Sequence, residues 1–167
     1  MKDKGKDGEK DNRGISSSVL GQAFWLVMQS RSHEFMFVKD LQSSLFPALA
    51  LKQFAFVSVD EKNPQVQAMA LWAFVNEEVD ERLSRGVFKL QPGDWNSGKI
   101  TWLIDVLAPF GGSHLVIKEL REKVFPKGEI KSYIRDPKTG EAGVQMIYGI
   151  EKKENMSKDA SKVKKKS

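Results

Sequence analysis

The chain has 167 residues, 40% of them apolar and 29% charged, with no cysteine and a formal net charge of +5. That length and balance fit one soluble domain with a core of its own, and the missing cysteine removes disulfides, thiolate nucleophiles and cysteine zinc sites together, which fits a cytoplasmic protein. The positive charge sits on the ends: residues 15–150 hold 15 basic and 15 acidic side chains, so the folded part has no basic footprint for nucleic acid.

Residues 1–15 read as a disordered polar tail, without the apolar stretch of a secretory signal. Ser16-Ser-Ser18 is a helix N-cap, and Leu20, Ala23, Phe24, Val27 and Met28 then recur at helical spacing. Val19, Trp25 and Leu26 widen that stripe, which predicts a well-buried helix ending at Gln29-Ser-Arg-Ser32. A second helix is expected over 34–45, stopping before Pro47. Residues 54–59 and 67–75 read as strands, joined through the turn chemistry of Asp60-Glu-Lys-Asn-Pro64. A polar helix follows over 76–85 with Gly86 as its stop, then a strand over 100–108. Residues 113–125 form an amphipathic helix with Val116, Ile117, Leu120 and Val124 inward and Glu119 paired to Lys123. Residues 131–135 and 144–149 make a closing hairpin around Asp136-Pro-Lys-Thr-Gly140, and 151–167 are expected as a disordered Lys-rich tail. The single domain is therefore 16–150, an α+β fold with a mainly antiparallel sheet packed by helices. No run of about 18 apolar residues suggests a membrane span.

One carboxylate stands out. Asp105 lies inside the apolar strand Ile100–Ala108, where an unpaired charge costs several kcal/mol. The strand runs into Pro109-Phe-Gly-Gly112 and a helix start, a turn with free N–H groups able to receive an anion. A buried acid beside such a turn suggests acyl or phosphoryl transfer. Two histidines are present, His33 and His114. His33 follows the first helix between small polar residues, which fits a cleft edge, whereas His114 falls on the polar side of its helix and is expected exposed and idle. Taken alone, a histidine at a helix end is more often a cap than a catalyst, and an aspartate in a strand is as often structural as functional. Most of Trp25, Trp72, Trp95 and Trp102 are expected in the core.

Three stretches, with Arg135-Asp-Pro-Lys-Thr139 near the end, carry a resemblance. They are Leu20–Leu26 with Ser30-Arg-Ser-His33, then Leu45–Ala55, then Asp94-Trp-Asn-Ser-Gly-Lys-Ile-Thr-Trp-Leu-Ile-Asp-Val-Leu-Ala-Pro-Phe-Gly111. Together they resemble the RTX toxin-activating lysine acyltransferases of the haemolysin-activating type, over residues 19–145. The resemblance implies a GNAT-like (Gcn5-related N-acetyltransferase-like) fold and a cytoplasmic enzyme. It implies transfer of a fatty acyl group from acyl carrier protein to internal lysines of an RTX protoxin, with no bound metal or cofactor. Members can be homodimers. The family's essential histidine and aspartate match His33 and Asp105, and its contributing serine matches Ser30. Members often carry asparagine where this chain has Ser44, which is a candidate contact for the substrate or its carrier. Residues 66–88 and the C-terminus depart from the pattern.

The chemistry agrees with that assignment. A lysine amine, with a pKa near ~10.4, must lose a proton as it attacks a thioester. His33 suits the base, and Asp105 could fix its tautomer, which would also offset the cost of burying the carboxylate. Phe110, Gly111 and Gly112 are the candidate contacts for the carrier's phosphopantetheine. Without cysteine, an acyl-enzyme would need Ser30, Ser32 or His33; direct transfer asks less of the residues. Two other classes stay open: a silent GNAT-like chaperone, against which both His33 and Asp105 speak, and a coenzyme A acetyltransferase, whose basic pyrophosphate signature Pro109–Ser113 lacks.

Overall fold

The computed structural model describes residues 14–58, 65–136 and 138–164, with side chains through residue 157. The expected hairpin turn at 60–64 lies outside the described residues, as does Pro137. Ser16 starts the first helix as predicted: its side chain accepts from the Val19 N–H at 3.2 Å, and α1 runs Ser17–Gln29. The helix is less buried than its composition suggests. Ala23 and Leu26 are enclosed, whereas Phe24, Trp25 and Val27 are half-buried and Met28 is exposed. A helix lying on one face of a sheet hides a stripe rather than its whole circumference.

The single helix expected over 34–45 is instead a chain of short turns. One 3₁₀ turn covers Arg31–His33 and another Val38–Asp40; α2 is Leu41–Ser44 and α3 is Phe46–Ala50. Pro47 falls in the first turn of α3, where its missing N–H is not needed, so it opens a helix rather than closing one.

The sheet holds β1 (Phe54–Val57), β2 (Ala68–Val75), β3 (Ile100–Leu107), β4 (Glu129–Arg135) and β5 (Ala142–Tyr148), in that spatial order. All neighbours are antiparallel except β3 and β4, which are parallel and in register at Trp102↔Lys131 and Leu103↔Ser132. A parallel pair needs a crossover. It is α5 (Ser113–Glu119), continued by a π turn at Leu120–Val124. A further helix, α4 (Glu77–Ser84), is capped by Asn76, whose side chain accepts from the Val79 N–H, and is stopped at Gly86. The α+β, mostly antiparallel, GNAT-like architecture expected from sequence is the one observed.

Alternation along β2 sorts the core. Met69, Leu71, Ala73 and Val75 face α1 to α4, packing with Leu26, Leu41, Leu49 and Leu83. Ala70 and Trp72 face α5, packing with Val116 and Leu120. Trp95 and Trp102 are fully buried on the α1 side; truncating either would cost about 3–5 kcal/mol. The Trp102 indole N–H donates to Asp80 at 2.7 Å, and the Lys131 ammonium reaches the same carboxylate at 2.7 Å, tying α4 to β3 and β4.

Asp94–Gly98, the start of the third stretch of the sequence resemblance, is a scaffold. Asp94 accepts from Arg82 at 2.7 Å and from the Gln91 N–H at 2.8 Å. The Trp95 indole N–H donates to the Ser43 carbonyl at 3.1 Å. Ser97 Oγ accepts from the Asn76 N–H at 3.0 Å and donates to the Asp94 carbonyl. Gly98 lies so close to the end of β2 that a Cβ there would stand 2.4 Å from the Val75 carbonyl oxygen and 2.6 Å from Asn76. Both neighbours are backbone and cannot swing aside. Gly98→Ala is therefore expected to destabilise the fold by about 1–3 kcal/mol, read as a lower urea midpoint at an unchanged slope. A midpoint equal to wild type would refute the close approach.

Residues 151–167 were expected to be disordered, yet α6 runs Ile150–Lys164. Its start is anchored: the Glu151 N–H donates to the Pro126 carbonyl at 3.0 Å, and Lys152 pairs with Glu129. A charged composition argues against a core but not against a helix, since Glu, Lys and Ala are strong helix formers once a first turn is held.

Candidate active site

The site begins at the C-terminus of α1. Ser30 leaves the helix in an extended conformation, and the 3₁₀ turn behind it closes with the His33 N–H donating to the Ser30 carbonyl at 3.0 Å. In a three-residue turn, side chains i and i+3 lie over each other. The Ser-x-x-His spacing thus places Ser30 Oγ 2.9 Å from His33 Nδ1. Ser32 Oγ also lies 2.9 Å from Nδ1, and 2.9 Å from Ser30 Oγ. Ser30 is buried and Ser32 exposed.

The aspartate arrives through a bulge. Leu71 stands opposite Asp105 and the next β2 residue, Trp72, stands opposite Leu103, so Ile104 is an extra residue on β3. Leu103 faces α5. Strict alternation would send Asp105 to that face too. The extra residue reverses the alternation and turns Asp105 to the side of Leu71 and Leu107, beneath α1. There Asp105 Oδ2 meets His33 Nε2 at 2.8 Å.

The carboxylate is not enclosed as the sequence suggested. The Asp105 side chain is 34% exposed and that of His33 11% exposed, because the bulge brings the acid to the edge of a cleft. The His33 pKa is raised above its ordinary 6.5, chiefly by the hydrogen bond to Asp105 and further by that residue's charge, with burial pulling the other way. Neutral His33 donates Nε2–H to Asp105 and leaves Nδ1 as the basic nitrogen, bonded to a serine hydroxyl.

Two cavities flank this pair. One, of about 260 Å³, has His33 in its wall with Phe24, Val27, Met28, Met36 and Leu41. The other, of about 300 Å³, has Asp105 in its wall with Asp40, Ser43, Ser44, Lys89 and Trp95. Ser30, His33 and Asp105 are thus brought together, and Ser44 lies in the adjoining cavity, where its hydroxyl donates to the Asp40 carbonyl at 2.9 Å. Phe110 packs on Trp25 at 5.2 Å between ring centroids. Gly111 and Gly112 both have φ of +86°, so the turn needs glycine for backbone reasons alone. His114 is exposed on α5, as expected. Lys89 and Asp40 carry no motif in the sequence; only the fold brings them to the cleft. Among the described residues no cluster of three His, Asp or Glu side chains is arranged to hold a metal.

Residues 13–148 match the model of the RTX toxin acyltransferase family. The chain belongs to that family. It is 32% identical to the lysine-acyltransferase RtxC of Vibrio cholerae over 64% of this chain and 69% of the relative. It is 31% identical to the leukotoxin-activating lysine-acyltransferase LktC serotype T3 of Mannheimia haemolytica, over 78% of this chain and 76% of the relative. A protein-lysine myristoyltransferase HlyC of Escherichia coli is 32% identical over 83% of this chain and 79% of the relative. The family match spans β1 to β5 as well as the His33 turn, and the chain is an acyltransferase. No helix among the described residues is long and apolar enough to cross a membrane.

Proposed function

We propose that this acyltransferase moves a fatty acyl chain from acyl carrier protein to lysine ε-amines of an RTX protoxin in the cytoplasm, with His33 as general base. The observation that carries the reading is the unbroken contact chain from Asp105 through His33 to Ser30 and Ser32, flanked by a cavity on each side. Asp105 holds the Nε2 proton and so keeps Nδ1 basic. As the lysine nitrogen attacks the thioester carbonyl, Nδ1 takes the amine proton, directly or through the exposed Ser32 hydroxyl. The imidazolium is stabilised by Asp105 and returns the proton to the departing thiolate of phosphopantetheine. Ser30, buried beside the ring, holds its orientation. Ser44 and the Phe110-Gly111-Gly112 turn are assigned to the carrier side of the substrate.

The serine contacts also favour a second reading, in which Ser32 or Ser30 is acylated first and lysine then takes the chain from the ester. Direct transfer remains the preferred route because it needs no deacylation step. The test is the intact mass of a candidate RTX protoxin after incubation with this protein and a fatty acyl carrier protein. One or more acyl masses on lysine are expected with the carrier thioester, and none with the coenzyme A thioester of the same chain. Equal transfer from coenzyme A would overturn the carrier assignment. An acyl mass on the enzyme itself, when the protoxin is withheld, would select the serine route.

A further inference from the structure

The two cavities differ in the number of charged side chains that line them, and that difference assigns the substrates to them. The cavity on the Asp105 side is lined by two carboxylates, two serines and a lysine among its apolar residues. A hydrocarbon chain laid there would strip water from charged groups and return no hydrogen bonds. The cavity on the His33 side is walled by Phe24, Val27, Met28, Met36, Val38 and Leu41, with Glu34 as its one charged residue besides the histidine. Its surroundings are unusual for a protein surface. Met28 and Val38, which line it, are largely exposed, as are Phe35, at 87%, and Phe37 on the intervening segment. Single exposed apolar side chains are ordinary, but four within eleven residues, two of them lining the cavity and two on the segment that walls it, mark a binding surface. His33 is part of the cavity wall and also the base, so a carbonyl carbon held for attack at the imidazole has its alkyl chain at the mouth of this cavity.

We propose that the cleft between α1 and the Glu34–Leu41 segment is the acyl-chain site, and that Val27, Met28 and Met36 select the chain length. This rests on the acyl-transfer reading above. The methionines suit the role, being flexible and polarisable enough to close on chains of different shape. The Asp105-side cavity is then left for the amine and the amide-bearing arm of the carrier.

Two variants test it, each compared with wild type using tetradecanoyl and octanoyl carrier protein in separate reactions. Val27→Trp fills the cavity from the helix side. Met28→Glu places a charge at its mouth on an exposed position, where folding is not at stake. Both are expected to lower the rate with the long chain roughly tenfold or more while changing the rate with the short chain far less, the size of effect one apolar pocket contact can exert. An equal fall with both donors, or no fall with either, overturns the proposal. A second readout does not need turnover: dansyl-undecanoate fluorescence should rise on wild-type protein and not on Met28→Glu. If wild type transfers neither chain, the function reading fails, and the dye alone decides the cavity: binding lost in Met28→Glu upholds an aliphatic-chain site, and binding absent from wild type or unchanged in the variant overturns it.

Discussion

Replacing His33 with alanine is expected to lower lysine acylation by about 10²–10⁴-fold, the usual contribution of a positioned general base. The imidazole is the only group among the described residues that meets both the Asp105 carboxylate and the serine hydroxyls. Without it, the amine proton has no neutral acceptor near working pH. The loss should not be a folding artefact. His33 lies on a turn outside the hydrophobic core clusters, and Asp105, already 34% exposed, can be rehydrated when its partner goes. A melting temperature within a few degrees of wild type, together with an unmodified protoxin mass, is the expected pair of readings. Activity near wild type in this variant would remove His33 from the mechanism and leave the cavities to explain catalysis by positioning alone.

How far the site could be read in advance depends on which forces set each part. Ser16, the stripe along α1 and the Gly86 stop are local signals, and each element they mark is present. The pairing of Asp105 with His33 spans 72 positions and entered only through the family resemblance; nothing in the periodicity points from one to the other. The bulge at Ile104 is invisible in the sequence, because an extra strand residue changes no composition, yet it decides which face Asp105 takes. Without it, the same sequence would aim the carboxylate at α5. Residues 34–45 misled for a different reason. Their apolar residues look like a helical face, but the segment is broken: Met36 packs at the edge of the core, whereas Phe37 and Val38 stay exposed. The tail at 150–164 misled because charge density speaks of burial and says little about helix formation. The third stretch of the resemblance mixes two roles: Asp94–Gly98 forms a dense knot of hydrogen bonds and close backbone approach, whereas Asp105 further along it meets His33.

Asp105→Asn separates orientation from charge, and its effect has a definite sign. The carboxamide is nearly the same shape as the carboxylate, so the fold should stand. Its NH₂ can donate to Nε2, which drives the ring proton to Nδ1 and removes the basic lone pair; a fall of about 10²–10⁴-fold in acylation is expected from that wrong tautomer. In wild type, Asp105 raises the His33 pKa above 6.5 through its hydrogen bond and charge, against burial. The base must be neutral to act, so wild-type activity should rise with pH through a midpoint above 6.5. The variant loses both raising contributions and keeps the burial, so the midpoint of its residual activity should fall below that of wild type. Stability follows the same proton. A raised native pKa means that the folded protein binds the proton more tightly than the unfolded chain, which stabilises the fold fully below 6.5 and is lost as pH climbs through the native value. The destabilisation caused by Asp105→Asn should therefore be greatest below 6.5 and shrink in alkaline buffer. Melting curves and pH–rate profiles of the two proteins read both. An acid limb that stays in place in the variant would mean that Asp105 holds the ring without setting its charge.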